Sequence, residues 1–258
     1  MWPQAHLRFL DHALPSLQKE PALLGVAAGG SAASRTLDQY SDLDLLLVCA
    51  PEKLSDLFVE RERLAKSLGN FLAGFTGEHV GEPRLYITLF DDPLLHVDFT
   101  FLNAEEFGKV GATEILWEKE GALQAAAGTS HPEHPDLQWI EDRFWIWVHY
   151  GAQRIGRGEI FEAIDHLSFL RSRVIGPLLQ WQKGLPPRGA RRLEALDYQR
   201  EARATVPIYD ARSCELSLKE TAKLYVELRE LKAQPDLVRQ RRAEMAAMRY
   251  LHQVSEGL

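Results

Sequence analysis

Gly29-Gly30-Ser31-Ala32-Ala33-Ser34-Arg35-Thr36-Leu37-Asp38-Gln39-Tyr40-Ser41-Asp42-Leu43-Asp44 decides how the first half of this chain is read. An apolar run, Leu23–Ala28, ends in two glycines and a serine. Further along, Asp42 and Asp44 flank Leu43 and open a second apolar run that reaches Cys49. Glycine lets the backbone approach another group closely, and a serine hydroxyl can hydrogen-bond whatever arrives there. Residues two apart on a strand share a face, so Asp42 and Asp44 point the same way, with Leu46 and Val48 behind them. Two carboxylates that close repel each other, and one takes up a proton unless a cation intervenes. Magnesium prefers oxygen ligands and shares substrate phosphates. The stretch therefore has the components of a phosphate-and-magnesium site.

A third carboxylate lies downstream. In Leu94-Leu95-His96-Val97-Asp98-Phe99-Thr100-Phe101, alternation puts His96, Asp98 and Thr100 on one face and Leu95, Val97, Phe99 and Phe101 on the other. A mid-strand charge is costly unless it is paired or binds a metal. A carboxylate pair with a third on a neighbouring strand suits metal-assisted phosphoryl or nucleotidyl transfer.

Around these motifs the first half alternates helix and strand. Helices are expected at 4–19 and 51–68, and strands at 23–28, 42–49, 71–76, 84–90 and 94–102, forming a mixed sheet. Gly128–Pro135 reads as a linker. Beyond it only helices are expected, at 136–155, 159–183, 190–204, 215–233 and 236–254. Ser217-Leu218-Lys219-Glu220 is read as a capping box opening the fourth of these. The expected architecture is α+β: a mixed-sheet domain over 1–128, then an all-helical bundle over 136–258, with a cleft between them.

Gly30-Ser31, Ser41-Asp42-Leu43-Asp44 and the later Asp98 together resemble the nucleotidyltransferase superfamily that includes DNA polymerase β. The helical second half is similar to that of antibiotic nucleotidyltransferases acting on aminoglycosides and lincosamides. The resemblance implies that Asp42, Asp44 and Asp98 hold Mg²⁺ and that Gly30 and Ser31 hold the triphosphate of ATP or another NTP. Arg35 is either an extra phosphate contact or a solvated loop arginine. The implied reaction moves a nucleoside monophosphate, AMP if the nucleotide is ATP, to a hydroxyl of a small molecule such as an antibiotic, and releases pyrophosphate.

Such enzymes also use a base at the domain interface, for which the second half offers Glu141 and His149 in Trp139-Ile140-Glu141-Asp142-Arg143-Phe144-Trp145-Ile146-Trp147-Val148-His149-Tyr150. Glu141 falls near Trp145 and Val148 in the apolar arc of the helix, where burial is expected to raise its pKa. Arg154 and Arg157 either neutralise the triphosphate or pyrophosphate, with Arg154 preferred, or form a solvated helix end before a glycine break.

The chain has 258 residues, a formal net charge of −7 and two cysteines, Cys49 and Cys214. The charge argues against a nucleic-acid coater, and the cysteines read as free thiols of a reducing cytoplasm. No apolar run is long enough to span a bilayer and no signal-peptide pattern opens the chain, so cytoplasm is expected and a membrane is not. The basic runs 188–192 and 239–242 are flanked by acids and read as solvated faces. His131 and His134, in the linker, are poor metal candidates. Either a monomer or a homodimer is compatible with the pattern. A protein or RNA acceptor, and a nucleotide-binding regulatory module without turnover, remain alternatives.

Overall fold

The computed structural model describes residues 2–126, 128, 134–232 and 235–258. It divides into two compact units, Met1–His131 and Pro132–Leu258. Most of the expected linker, with His131, lies outside the described residues.

The first unit is built on a six-stranded sheet in the order β3-β4-β5-β2-β1-β6. The strands are β1 Leu23–Ala28, β2 Leu43–Cys49, β3 Asn70–Gly77, β4 Glu82–Asp91, β5 Leu95–Asn103 and β6 Glu114–Glu118. β2 and β5 run parallel, and every other neighbouring pair is antiparallel. The mixed sheet agrees with expectation. β6 is not among the expected strands, because one exposed and four half-buried residues at a sheet edge give too little alternation to read.

One face of the sheet carries the larger core. Leu43, Leu45, Leu47, Val97, Phe99 and Phe101 pack there against Phe9, Leu10, Ala13 and Leu17 of helix α1, Gln4–Leu17. The other face carries a smaller cluster around Leu46, Val48, Leu102, Phe107 and Leu123. The expected helix 51–68 is broken into a 3-10 turn and two short helices, Leu54–Val59 and Arg61–Lys66.

In the second unit the principal helices are α2 Leu137–Gly156, α3 Ile160–Leu170, α4 Gly176–Gln182, α5 Ala211–Leu231 and α6 Arg241–Glu256. Their shared core includes Ile140, Phe144, Val148, Leu167, Leu218 and Tyr225. The Phe144 and Tyr225 rings stack with centroids 3.8 Å apart. Helix α2 begins where Asp136 accepts a 2.9 Å hydrogen bond from Trp139 N–H.

Three expectations are corrected here. The cap of α5 is Asp210, which accepts from Ser213 N–H at 2.8 Å, so the Ser217–Glu220 pattern lies inside the helix. Ser217 is buried there, and its carbonyl accepts from Thr221 Oγ1. The span 159–183 is interrupted by a π-turn at Arg171–Ile175. The span 190–204 shrinks to a 3-10 turn and the helix Gln199–Ala204, because Arg192 takes a left-handed φ of 57° that no helix accommodates.

Candidate active site

The glycine turn follows β1 directly. Gly29 N–H donates to Asp44 O at 3.0 Å, which ties the turn to the first residues of β2. Gly30 has a φ of +53°, a conformation that favours glycine. A Cβ built there would stand 1.9 Å from Asp44 Oδ2, so the position is closed to any side chain while that carboxylate stays in place. Ser31 Oγ is buried with no hydrogen-bond partner among the described residues. A buried hydroxyl left unsatisfied is uncommon in folded proteins and marks a place where a ligand oxygen would complete the bonding.

The parallel pairing of β2 with β5 sets the carboxylates. Leu43 is in register with Val97, Asp44 with Asp98, and Leu46 with Thr100. In-register residues of neighbouring strands project to the same face, so Asp44 and Asp98 lie side by side on the face of the smaller cluster. Asp42, one residue before the strand, completes the group. The carboxylate oxygens of Asp42, Asp44 and Asp98 lie within 4.8 Å of one another. Burial pushes the Asp98 pKa up, His96 draws it back, and Asp42 pushes it up again, with a net rise. An all-oxygen, all-anionic donor set suits a hard divalent cation. With the unpartnered Ser31 hydroxyl beside it, the residues present fit both Mg²⁺ and a phosphate chain.

His96 was placed on this face by alternation but not singled out. Its Nε2 lies 2.7 Å from Asp98 Oδ1, so the imidazole touches the third carboxylate directly. The spacing of two residues on one strand was the available signal. Arg35 is exposed, with a left-handed φ of 55°, at the end of the glycine turn.

The profile of the streptomycin adenylyltransferase family matches residues 9–191. The chain belongs to that family. It is accordingly a nucleotidyltransferase, and the matched region contains the glycine turn, all three aspartates and helix α2. No curated protein matches the chain. The crystal structure of an aminoglycoside 6-adenyltransferase from Bacillus subtilis is similar, with a TM-score of 0.40 and 16% identity over 98% of this chain and 99% of that one.

The candidates carried by α2 fare differently within this family member. Glu141 is fully buried and ionised. Tyr225 Oη donates to it at 2.6 Å, the Gln240 backbone N–H at 2.9 Å, and Arg229 Nη1 to both oxygens at 3.1 Å. Burial alone would raise its pKa, but these donors outweigh it and leave the value below the usual range, which reverses the expected rise. The partners lie on α5 and next to α6, distant in sequence, and no local pattern announces them. His149 is half-buried, its ring centroid 4.7 Å from that of Tyr250. It lines a groove of 530 Å³ with Trp145, Ile146, Tyr250 and Gln253. Arg154 lies 3.3 Å from Glu162 and donates to the Tyr150 carbonyl, so its guanidinium is engaged within the helical unit. Among the described residues, no helix is long and apolar enough to cross a membrane.

Proposed function

We propose that the protein transfers AMP from ATP to a hydroxyl of a small, antibiotic-like acceptor and releases pyrophosphate. The observation that carries this reading is the convergence of Asp42, Asp44 and Asp98 beside a glycine turn whose buried serine hydroxyl lacks a partner. Family membership supports adenylyl transfer as the reaction class, and the streptomycin of the family's name supports an antibiotic as the class of acceptor.

The acceptor oxygen forms a bond to the α-phosphorus, and the bond from that phosphorus to the α,β-bridging oxygen breaks. Pyrophosphate leaves with the bonding electrons, and the acceptor's proton passes to a base. Mg²⁺, when bound, supplies positive charge against the phosphates and favours ionisation of the acceptor hydroxyl. Asp42 and Asp44 would hold the cation that meets the phosphates, and Asp98 would hold the cation that favours ionisation of the acceptor hydroxyl. Ser31 Oγ donates to a phosphate oxygen, and the bare backbone at Gly30 lets the chain come close. Arg35 and Arg154 are proposed phosphate contacts. His149 is the preferred proton acceptor of the two candidates, since Glu141 is enclosed and already bonded on both oxygens.

The test is incubation with Mg²⁺, α-labelled ATP and a panel of hydroxylated antibiotics. Label on an acceptor with one pyrophosphate per transfer is expected, and its loss in Asp44→Asn. Label on the protein itself, or tight ATP binding with no pyrophosphate from any acceptor, would replace the reading by protein nucleotidylation or a regulatory module.

A further inference from the structure

The three carboxylates are not held in the same way. Asp44 and Asp98 sit inside the ladder that pairs β2 with β5, so strand hydrogen bonds fix their backbones. Asp42 precedes the first ladder residue, Leu43, at the end of the loop from the glycine turn. The loop closes on itself just before it. Ser41 N–H donates to Asp38 O, Ser41 Oγ donates to Asp38 Oδ1, and Asp38 N–H donates to Ser41 Oγ. A bond also reaches this loop from a distant element. His6, on α1, places Nε2 at 2.8 Å from Ser41 O.

A carbonyl only accepts, so Nε2 carries the proton and the imidazole is the donor. His6 is fully buried, and its Nδ1 has no partner among the described residues, so the Ser41 contact is the hydrogen bond this ring makes. Ser41 C and O share a peptide plane with the N and Cα of Asp42. Clamping that carbonyl therefore sets the plane from which the Asp42 side chain departs. We infer that His6 is a positioning residue for metal binding, which substitutes at Asp42 for the ladder that holds Asp44 and Asp98. The inference rests on the proposed metal role of the aspartates.

Mn²⁺ binding to the full-length protein, followed by electron paramagnetic resonance with no nucleotide or acceptor, tests it. Asp44→Asn first reports whether the bound ion is at the carboxylates. If that variant binds Mn²⁺ as wild type does, the metal reading fails, and this inference with it. If Asp44→Asn loses the ion, His6→Leu should weaken Mn²⁺ binding by about tenfold, the lower end of the range for residues that orient metal ligands. His6→Gln, whose amide nitrogen has the reach of Nε2, should restore binding to within about threefold by the same reasoning. A purely structural histidine would be rescued in melting temperature without this recovery of metal affinity. Wild-type affinity in His6→Leu overturns the inference, as does equal loss in a folded His6→Gln. Should His6→Leu not fold, His6→Asn, with an amide too short to reach Ser41 O, replaces it. Equal Mn²⁺ affinity in the Asn and Gln variants would then overturn the inference.

Discussion

Gly30 and Asp44 occupy adjoining space so closely that a Cβ on the glycine would lie 1.9 Å from the aspartate's Oδ2. The turn and the carboxylate are thus one unit, linked also by the bond from Gly29 N–H to Asp44 O. In Gly30→Ala the new methyl must displace either the turn or the Asp44 side chain. The left-handed φ adds about 1 kcal/mol of strain. The expected outcome is a folded protein with Mn²⁺ affinity reduced about tenfold or more, measured by paramagnetic resonance beside a thermal melt.

Ser31→Ala removes a hydroxyl that bonds nothing among the described residues. Without nucleotide, the melting temperature should stay as in wild type, because no hydrogen bond is lost. With nucleotide, a bond to a charged phosphate is forfeited, about 1.5–3 kcal/mol, or roughly 10–100-fold in affinity. A thermal melt without nucleotide checks the first half, and calorimetric titration with a non-hydrolysable ATP analogue checks the second. A variant that binds the analogue as wild type does would remove Ser31 from the phosphate site.

Asp98→Asn separates the cost of the carboxylate from its use. Burial and the nearby Asp42 hold the Asp98 pKa above the ordinary range, so its charge is unfavourable in the metal-free fold. The neutral isostere should melt at a temperature equal to or above that of wild type without metal. It should also lose the stabilisation that Mg²⁺ gives to wild type by binding only the folded state. Transfer activity should fall by about a thousandfold, equivalent to several kcal/mol of charge stabilisation. Melting curves with and without Mg²⁺, set beside initial rates, decide the matter. A lower metal-free melting temperature would show that the charge stabilises the fold.

Glu141 makes the pH dependence of the helical unit predictable. Its donors hold the folded carboxyl below the usual range against the opposing effect of burial. A depressed carboxylate contributes stability that is full above the unfolded value, about 4.3, and is lost as pH falls through the folded value. Glu141→Gln should flatten that acid limb in thermal melts. At neutral pH, Glu141→Leu should cost about 3 kcal/mol, because it takes a charge partner from Arg229, which is only 3% exposed. A Glu141→Gln variant with wild-type acid sensitivity would dissociate this network from the acid limb.

The carboxylate face was legible because its information is local. Period-two alternation put Asp42 with Asp44, and His96 with Asp98, and a glycine-serine turn at the end of an apolar strand is a short-range pattern. Glu141 was misread for the opposite reason. Helical spacing along α2 correctly buried it, but the sign of its pKa depends on Tyr225, Arg229 and Gln240, which lie 84 to 99 residues away. Ser217-Leu218-Lys219-Glu220 has the residues of a capping box, yet Asp210 caps the helix seven residues earlier. Local cap chemistry does not announce which of two acceptors the packed helix will use.

From its sequence alone the chain determined five of its six strands, the shared face of its carboxylates and the helical character of its second half, all consequences of backbone periodicity. Tertiary structure decided which strands are neighbours. The parallel pairing of β2 with β5 brings Asp44 beside Asp98 across a sequence gap that no periodicity can bridge. It also decided that His6 reaches Ser41 and that Glu141 is a buried, bonded anion, since hydrogen bonds between distant elements exist only once packing has brought them together.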